Sequence, residues 1–389
     1  MHRRSNQSAG NASKRGSHWV AFLSFICFAS QCTALLFAQA PAPPPTGDKA
    51  PTRAKLRSFI TQHRGIFNGV AVEYIASVAE TILEDPSGRP AASLVSISYT
   101  KTGEKEAGTR PVTFIFNGGP GSSSVWLHMA AFSPRRAALP SDAKPTGAAP
   151  YTLVDNPYTL LDVSDLVFID PIGTGYSRLL PGGKPEDFYG VIEDGRSMCD
   201  FLSTWLTANK RWNSPKFVAG ESYGTIRAAE MAKQLPSYGI LLNGVMLFGQ
   251  AMDFTQTTPI PGFDMAYTLI LPSMAATGWY WTGQRWDFAT PRGPSNVAPD
   301  LFDAMRRNPT LRVFVAHGYY DLVTPYFASD YAFSHMGLDP VLRRNVLQED
   351  YAGGHSMYTE KSVLTQMHND VGEFIRTTTP AKRPTPSVQ

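Results

Sequence analysis

Short apolar segments alternate with helix-like stretches along most of this chain. The apolar segments are rich in Val, Ile and Phe, as buried strands are, and they occupy residues 93–100, 111–117, 164–170, 216–221, 242–249 and 311–318. The helix-like stretches occupy residues 186–208, 223–235, 264–277, 298–307, 326–336 and 360–376. Strands that alternate with helices predict a mostly parallel sheet covered on both faces. Residues 278–297 are rich in Trp, Gly and Pro without a clear period, which indicates a loop or the remnant of an inserted cap.

The charge of the chain is small and unevenly placed. The formal net charge is +3, but residues 1–40 hold four Lys or Arg residues and no acid. Without those four, the chain has 31 basic and 32 acidic residues. A nucleic-acid partner would need a clustered basic face, so we predict none.

The first forty residues resemble an export signal. A basic stretch precedes an apolar run from Trp19 to Phe37, and Ala38-Gln39-Ala40 then offers a small-x-small cleavage site. The alternative is an uncleaved membrane anchor, because the run is about as long as a span requires. We expect cleavage and export to the periplasm or the medium, which would leave Cys199 as the single thiol.

A Pro-rich segment separates this signal from the folded part of the chain. Residues 41–52, PAPPPTGDKAPT, offer little to bury and are predicted to be a linker. We therefore expect one domain over residues 53–380, with a reduced cap around 250–300.

A serine lies in a tight turn between a predicted strand and a predicted helix. Residues 220–224, GESYG, fit the pattern G-x-S-x-G in the strand–turn–helix context that the motif requires. The glycines allow a turn so sharp that longer side chains would collide with neighbouring backbone. Ser222 is therefore predicted to be a nucleophile; the alternative is a glycine-rich turn whose serine caps the helix.

A serine hydroxyl needs a base, and a base needs an orienting acid. In this arrangement the chain order is Ser, acid, His, and three histidines are candidates: His335, His355 and His368. We predict His355, because it lies in a glycine-rich loop, whereas the other two lie in helix-like stretches and are expected at the surface. We predict Asp321, just past a strand, as the acid; Asp330 and Asp339 are alternatives on or after the next helix. His317 is expected to make a structural hydrogen bond.

A second glycine-rich segment, FNGGPGSSS at residues 116–124, follows a strand and starts a helix. Consecutive glycines allow backbone N–H groups to point at an anion. We predict half of an oxyanion hole here, with the N–H of Tyr223 as the other half. A phosphate-binding loop is the alternative, but its G-x-x-x-x-G-K-[ST] pattern is absent.

In combination these segments resemble the serine carboxypeptidases, peptidase family S10, over about residues 93–376. The matching motifs are Asn117-Gly118-Gly119-Pro120-Gly121, residues 156–177, residues 220–224, and Gly354-His355. The resemblance implies an α/β-hydrolase fold and removal of C-terminal amino acids through an acyl-enzyme. It implies a triad of Ser222, Asp321 and His355, with the N–H groups of Gly119 and Tyr223 as the oxyanion hole.

The resemblance also explains the glutamate beside the serine. It implies that Asn117, Gly118 and Glu221 bind the terminal carboxylate of a peptide substrate. Glu221 can donate a hydrogen bond to another carboxylate only while it is protonated. We therefore expect the best peptide binding in acid.

The chain departs from the family pattern in three places. Ser122 stands where the family has a cysteine, and Ala131 stands where many members carry an acid that pairs with the glutamate before the serine. Arg135 and Arg136 follow, and one of them is predicted to assist carboxylate recognition; a solvated face is the alternative. Only 98 residues separate Ser222 from Asp321, which indicates a bacterial-type member with a shortened cap.

The sequence therefore predicts a serine carboxypeptidase acting on peptides with a free C-terminus. The alternatives are an esterase or acyltransferase with the same triad, or a cap-deleted peptide binder without turnover. No histidine cluster has ligand spacing, so we expect no metal and no cofactor.

Overall fold

The computed structural model describes residues 56–380, except 104–106, 142–148, 254–288, 291–292, 295 and 322. The predicted signal, the predicted linker, the predicted helix 264–277 and most of the predicted cap lie outside the described residues. Among the helices that are described, none combines the length and the apolar character needed to cross a membrane.

The described strands form one large sheet and two small ones. In chain order they are β1 Ser58–Phe67, β2 Val70–Glu84, β3 Pro90–Lys101, β4 Val112–Phe116, β5 Arg135–Ala137, β6 Leu153–Asp155, β7 Asp165–Asp170, β8 Arg178–Leu179, β9 Lys216–Glu221, β10 Gly244–Phe248, β11 Ala289–Thr290, β12 Gly293–Pro294, β13 Arg312–Gly318 and β14 Val346–Tyr351.

The described α-helices are α1 Val191–Ala208, α2 Tyr223–Gln234, α3 Ala298–Arg307, α4 Tyr326–His335, α5 Pro340–Arg343 and α6 Lys361–Thr378. A π-helix spans Leu127–Phe132, and a short 3₁₀ turn spans Met357–Thr359. Further 3₁₀ turns span Ala107–Thr109, Leu160–Asp162, Pro185–Asp187 and Leu235–Tyr238.

The large sheet has the order β1-β2-β3-β7-β4-β9-β10-β13-β14, with β8 paired to β3. Six neighbouring strands of this sheet are parallel: β7, β4, β9, β10, β13 and β14. At one edge, β1, β2 and β3 pair antiparallel, and β3 also pairs antiparallel with β7. Every residue of β4, β7, β9 and β10 is buried, as expected for parallel strands covered on both faces. The prediction of a mostly parallel sheet is confirmed, and its six predicted strands are present.

Helices cover both faces of the sheet. On one face, apolar residues of α1, α2 and α3 pack against alternate residues of the central strands, such as Phe114, Val218 and Val245. On the other face, α6 and the π-helix pack against the intervening residues, such as Phe217 and Met246. Because the parallel strands end at one edge, the loops after β4, β9, β13 and β14 are brought to the same side of the sheet.

Two features differ from the sequence predictions. The antiparallel pair β1–β2 was not predicted, because β1 is exposed on almost its whole length and shows no alternation of buried and exposed residues. Its turn, Asn68-Gly69, has positive φ at both residues and is a strong hairpin signal. The expectation that His368 lies at the surface was wrong, since it is 7% exposed on α6 and bonds Asn68.

Candidate active site

Ser222 occupies a strained turn between β9 and α2. Its φ of 56° and ψ of −126° lie outside the regions that most side chains adopt. The Ser222 N–H donates to the Phe248 carbonyl over 2.9 Å, which ties the turn to β10. A Cβ at Gly220 would lie 2.1 Å from the Gly224 carbonyl oxygen, so the turn requires glycine at that position. The serine is partly exposed at the carboxyl edge of the sheet.

The glycine-rich loop after β4 packs directly against this turn. A Cβ at Gly118 would lie 2.5 Å from the backbone nitrogen of Tyr223 and 2.6 Å from the Glu221 carbonyl oxygen. Gly119 has φ of +104°, and a Cβ there would lie 2.7 Å from the backbone nitrogen of Gly121. The backbone of the loop therefore approaches the N-terminus of α2 as closely as only glycine permits, which is the arrangement that an oxyanion hole needs.

His355 and Asp321 form a hydrogen-bonded pair. His355 Nδ1 lies 2.9 Å from Asp321 Oδ2, and the acid is 3% exposed. The N–H groups of Val323 and Thr324 donate to Asp321 Oδ1, each over 2.8 Å, and the Thr324 hydroxyl donates to Oδ2 over 2.6 Å. The acid is thus held in one orientation toward the imidazole.

The pair shifts the protonation of both partners. Burial alone would raise the pKa of Asp321, but its hydrogen bonds with His355 and Thr324 outweigh burial, so the pKa is lowered. Burial alone would lower the pKa of His355, but Asp321 outweighs it and the pKa is raised. An ionised Asp321 therefore stabilises the protonated imidazole.

Glu221 lies in a buried network beside the imidazole. The side-chain amide of Asn117 donates to Glu221 Oε2 over 2.9 Å, and Asn117 Oδ1 accepts from the Leu127 N–H over 3.0 Å. His355 Nε2 lies 3.7 Å from Glu221 Oε1. Burial raises the pKa of Glu221, and the nearby His355 and Asn117 offset only part of that effect.

The structure brings together most of the residues that the sequence singled out. His355 Nδ1 faces Asp321, and its Nε2 faces Glu221, the residue that precedes Ser222 and bonds Asn117. Among the described residues, no hydrogen bond joins His355 Nε2 to the Ser222 hydroxyl. Such bonds are often long before substrate binds.

The two arginines have other partners. Arg135 is exposed, with Nε 3.5 Å from Asp155 Oδ1 and a hydrogen bond to the Leu153 carbonyl. Arg136 is 8% exposed, and its guanidinium lies 5.6 Å from the centre of the Tyr158 ring. In the described part of the chain, neither has a contact with Asn117 or Glu221, and their role in carboxylate recognition stays a prediction.

Sequence reasoning missed an arginine that supports the site. Arg227 is 1% exposed on α2, donates to the Asn117 carbonyl over 2.7 Å, and pairs with Asp194 Oδ2 of α1 at the same distance. It therefore fixes the glycine-rich loop to the helix that begins beside Ser222. The sequence offers no local pattern for this role, because the role depends on burial against Asn117 and α1.

Residues 99–243 match the family model described as serine carboxypeptidase. Over this segment, which is less than half of its length, the chain is similar to the serine carboxypeptidase family. The segment includes Asn117, Gly119, Glu221 and Ser222, whereas Asp321 and His355 lie beyond it.

Two curated relatives are proteins of Arabidopsis thaliana. Serine carboxypeptidase-like 20 is 30% identical over 139 residues, which cover 35% of this chain and 27% of that protein. Serine carboxypeptidase-like 28 is 30% identical over 146 residues, which cover 37% of this chain and 30% of that protein. The matched segment thus spans less than a third of either relative.

A solved structure shares the fold. A prohormone-processing carboxypeptidase of Saccharomyces cerevisiae superimposes with a TM-score of 0.51 at 15% identity, covering 77% of this chain and 91% of that protein. At this identity the likeness concerns the fold alone. The chain has the α/β-hydrolase fold, as the sequence predicted.

Proposed function

We propose that this protein is a serine carboxypeptidase that removes single residues from the C-terminus of peptides. The observation that carries the proposal is the Asp321–His355 pair, 2.9 Å apart, beside a strained serine turn. Glu221 and Asn117 supply the feature that would distinguish a carboxypeptidase from a general hydrolase, because they form a buried acid–amide pair next to the nucleophile.

The proposed reaction passes through an acyl-enzyme. Ser222 Oγ attacks the scissile carbonyl carbon while its proton passes to His355 Nε2, and the carbonyl electron pair moves onto the oxygen. The N–H groups of Gly119 and Tyr223 stabilise that oxyanion. The C–N bond then breaks, and His355 returns the proton to the departing amino acid. Water attacks the ester by the same route and releases the shortened peptide.

The carboxylate of the departing residue is bound by Asn117, the Gly118 N–H and protonated Glu221. Two carboxylates in one buried site cannot both be ionised cheaply, so one retains a proton. The raised pKa of Glu221, caused chiefly by burial, supports a protonated acid in this role.

The 3.7 Å between His355 Nε2 and Glu221 Oε1 couples the two titrations. Cleavage of a peptide with a free carboxylate requires a neutral His355 and a protonated Glu221. The active form of this pair therefore holds one proton, which is on Glu221. An ester without a carboxylate requires only the neutral imidazole. As pH rises and the Glu221–His355 pair loses the first of its two protons, kcat/KM should increase for both substrates. As the pair loses its second proton, kcat/KM should fall for the free acid alone, because its active form keeps one proton on Glu221.

The test compares a blocked dipeptide that has a free carboxylate with its amide and its methyl ester across this pH range. A strong preference for the free acid, and stepwise loss of C-terminal residues from longer peptides by mass spectrometry, is the expected result. Internal cleavage would overturn the proposal, and turnover of the ester without preference for the free acid would favour the esterase hypothesis.

The Ser222→Ala variant is the control for the nucleophile. A fluorophosphonate should label the wild-type protein but not this variant. Absence of label on the wild type would favour a peptide binder without turnover. Export of the mature protein remains a proposal from residues 1–40.

A further inference from the structure

Tyr358 carries a buried hydroxyl that the proposed reaction does not use. The residue lies in the 3₁₀ turn that follows His355 and is 1% exposed. Its hydroxyl has no hydrogen-bond partner among the described residues. Buried polar groups are rarely left in this state, because the missing bond costs free energy. An unpartnered phenol beside an active site therefore calls for a functional reason.

The phenol lies against the proposed carboxylate site. Tyr358 belongs to the same apolar cluster as Leu127 and Ala131 of the π-helix, and the Leu127 N–H bonds Asn117. Burial, and then the charge of Glu221, raises the pKa of Tyr358, while the nearby side chains of Ser356 and Asn117 oppose that rise. The phenol thus lies near both residues, and its raised pKa favours the protonated form that can donate.

The other groups that face Glu221 cannot take over the same task. His355 Nε2, 3.7 Å away, is engaged in proton transfer in the proposed mechanism. Asp321 is an acid that raises the pKa of Glu221. Asn117 already donates to Glu221 Oε2 and accepts from Leu127. Ala131, where an acid would be expected from the resemblance, is fully buried and apolar.

We propose that Tyr358 is a positioning residue that donates a hydrogen bond to Glu221, most strongly when that acid is ionised, and so sets the pH above which the site rejects a peptide carboxylate. The inference rests on the proposed function. A phenol can orient Glu221 without adding negative charge, whereas a second carboxyl would repel the bound carboxylate once ionised. In this role Tyr358 acts on the substrate through Glu221.

The test is the pH dependence of KM in Tyr358→Phe. A hydrogen bond to an ionised group favours the ionised form, so its loss should raise the pKa of Glu221. KM for the blocked dipeptide acid should then begin to rise at a pH about one unit higher than in the wild type. KM for the matching methyl ester should be unchanged. In a Glu221→Gln background, Tyr358→Phe should have no effect on the pH profile.

Tyr351→Phe is the matched control. It removes another buried phenol from the same apolar cluster, but that hydroxyl donates to Asp370 Oδ2 over 2.8 Å. No shift in Tyr358→Phe, an equal shift in the control, or a shift to lower pH would overturn the inference.

An isosteric probe covers the case in which Tyr358→Phe does not fold. Site-specific 3-fluorotyrosine at position 358 makes the phenol a stronger donor and should move the rise in KM to lower pH; an unchanged profile would reject the inference. If the wild type shows no preference for the free acid, both the proposed function and this inference are rejected. If that preference is present and both profiles are unchanged, only the role of Tyr358 fails.

Discussion

At the scale of single residues, Asp321 accepts hydrogen bonds from two backbone N–H groups and one hydroxyl while it faces His355. In Asp321→Asn an NH₂ group replaces one carboxylate oxygen and can face His355 Nδ1. The imidazole then carries its proton on Nε2, the wrong tautomer for a base. We expect kcat to fall by about three to four orders of magnitude, with KM nearly unchanged. Steady-state kinetics on the dipeptide acid measures this.

Asp350→Asn is the control for that substitution. Asp350 Oδ1 lies 3.3 Å from Nδ1 of the buried His317, so the variant alters an acid–imidazole contact outside the proposed triad. It should change kcat by less than about threefold. A comparable loss in both variants would contradict the orienting role of Asp321.

The sequence could predict those residues whose role depends on local pattern. Ser222 and Glu221 lie in a five-residue motif, and His355 and Asp321 follow from chain order and loop position. Tyr358 and Arg227 could not be found in this way, because their roles depend on burial against segments more than a hundred residues away. Neither composition nor spacing shows which of these side chains are buried in the folded protein.

At the scale of elements, the contact between the loop after β4 and the start of α2 depends on Gly118. A Cβ at this position would lie 2.5 Å from the Tyr223 nitrogen, so Gly118→Ala must push the two backbones apart. Displacement of the Gly119 or Tyr223 N–H, the proposed oxyanion donors, should lower kcat by about a hundredfold or more.

Gly108→Ala provides the comparison for Gly118→Ala. Beyond its chain neighbours, the nearest atom to a Cβ at Gly108 would be the Lys210 carbonyl oxygen at 4.0 Å. Its kcat should match that of the wild type, and an equal loss in both variants would show that the effect is not specific to the oxyanion loop.

The buried ion pair between α1 and α2 should contribute strongly to stability. Arg227 and Asp194 are 1% and 2% exposed, so Arg227→Met leaves an uncompensated buried acid. Urea denaturation should show a loss of about 3–5 kcal/mol in the free energy of unfolding. Arg376→Ala, which breaks an exposed pair with Glu373, should cost less than about 1 kcal/mol.

The loss in Arg227→Met should also depend on pH. Burial raises the pKa of Asp194, and removal of the cation should raise it further. The folded variant then holds a proton that the unfolded chain releases, so stability falls as pH rises. A destabilisation that is independent of pH would argue that lost packing, not the uncompensated acid, is responsible.

Elements were predictable where one periodicity dominated. The buried parallel strands and the long helices follow from apolar runs and spacing. The β1–β2 pair did not, because β1 is exposed on almost its whole length and shows no alternation of buried and exposed residues. The π-helix after the glycine-rich loop was not predicted either; its first residue, Leu127, bonds the side chain of Asn117, a contact that spacing does not reveal.

At the scale of the whole molecule, Cys199 reports on global opening. Its thiol is fully buried on α1, and burial raises its pKa. In a Cys27→Ser/Cys32→Ser protein, a thiol reagent should react more than about a thousandfold slower with the folded chain than with the chain in urea. Rapid modification without denaturant would show that α1 opens locally.

The torsion angles at position 222 have a consequence for engineering. Glycine is indifferent to that conformation, so a Ser222→Gly protein would give up its reactive oxygen and shed torsional strain at once. The proposed nucleophile is thus a residue whose removal should relieve backbone strain in the fold. The Ser222→Gly variant should therefore fold stably and bind a peptide at the edge of the sheet without cleaving it.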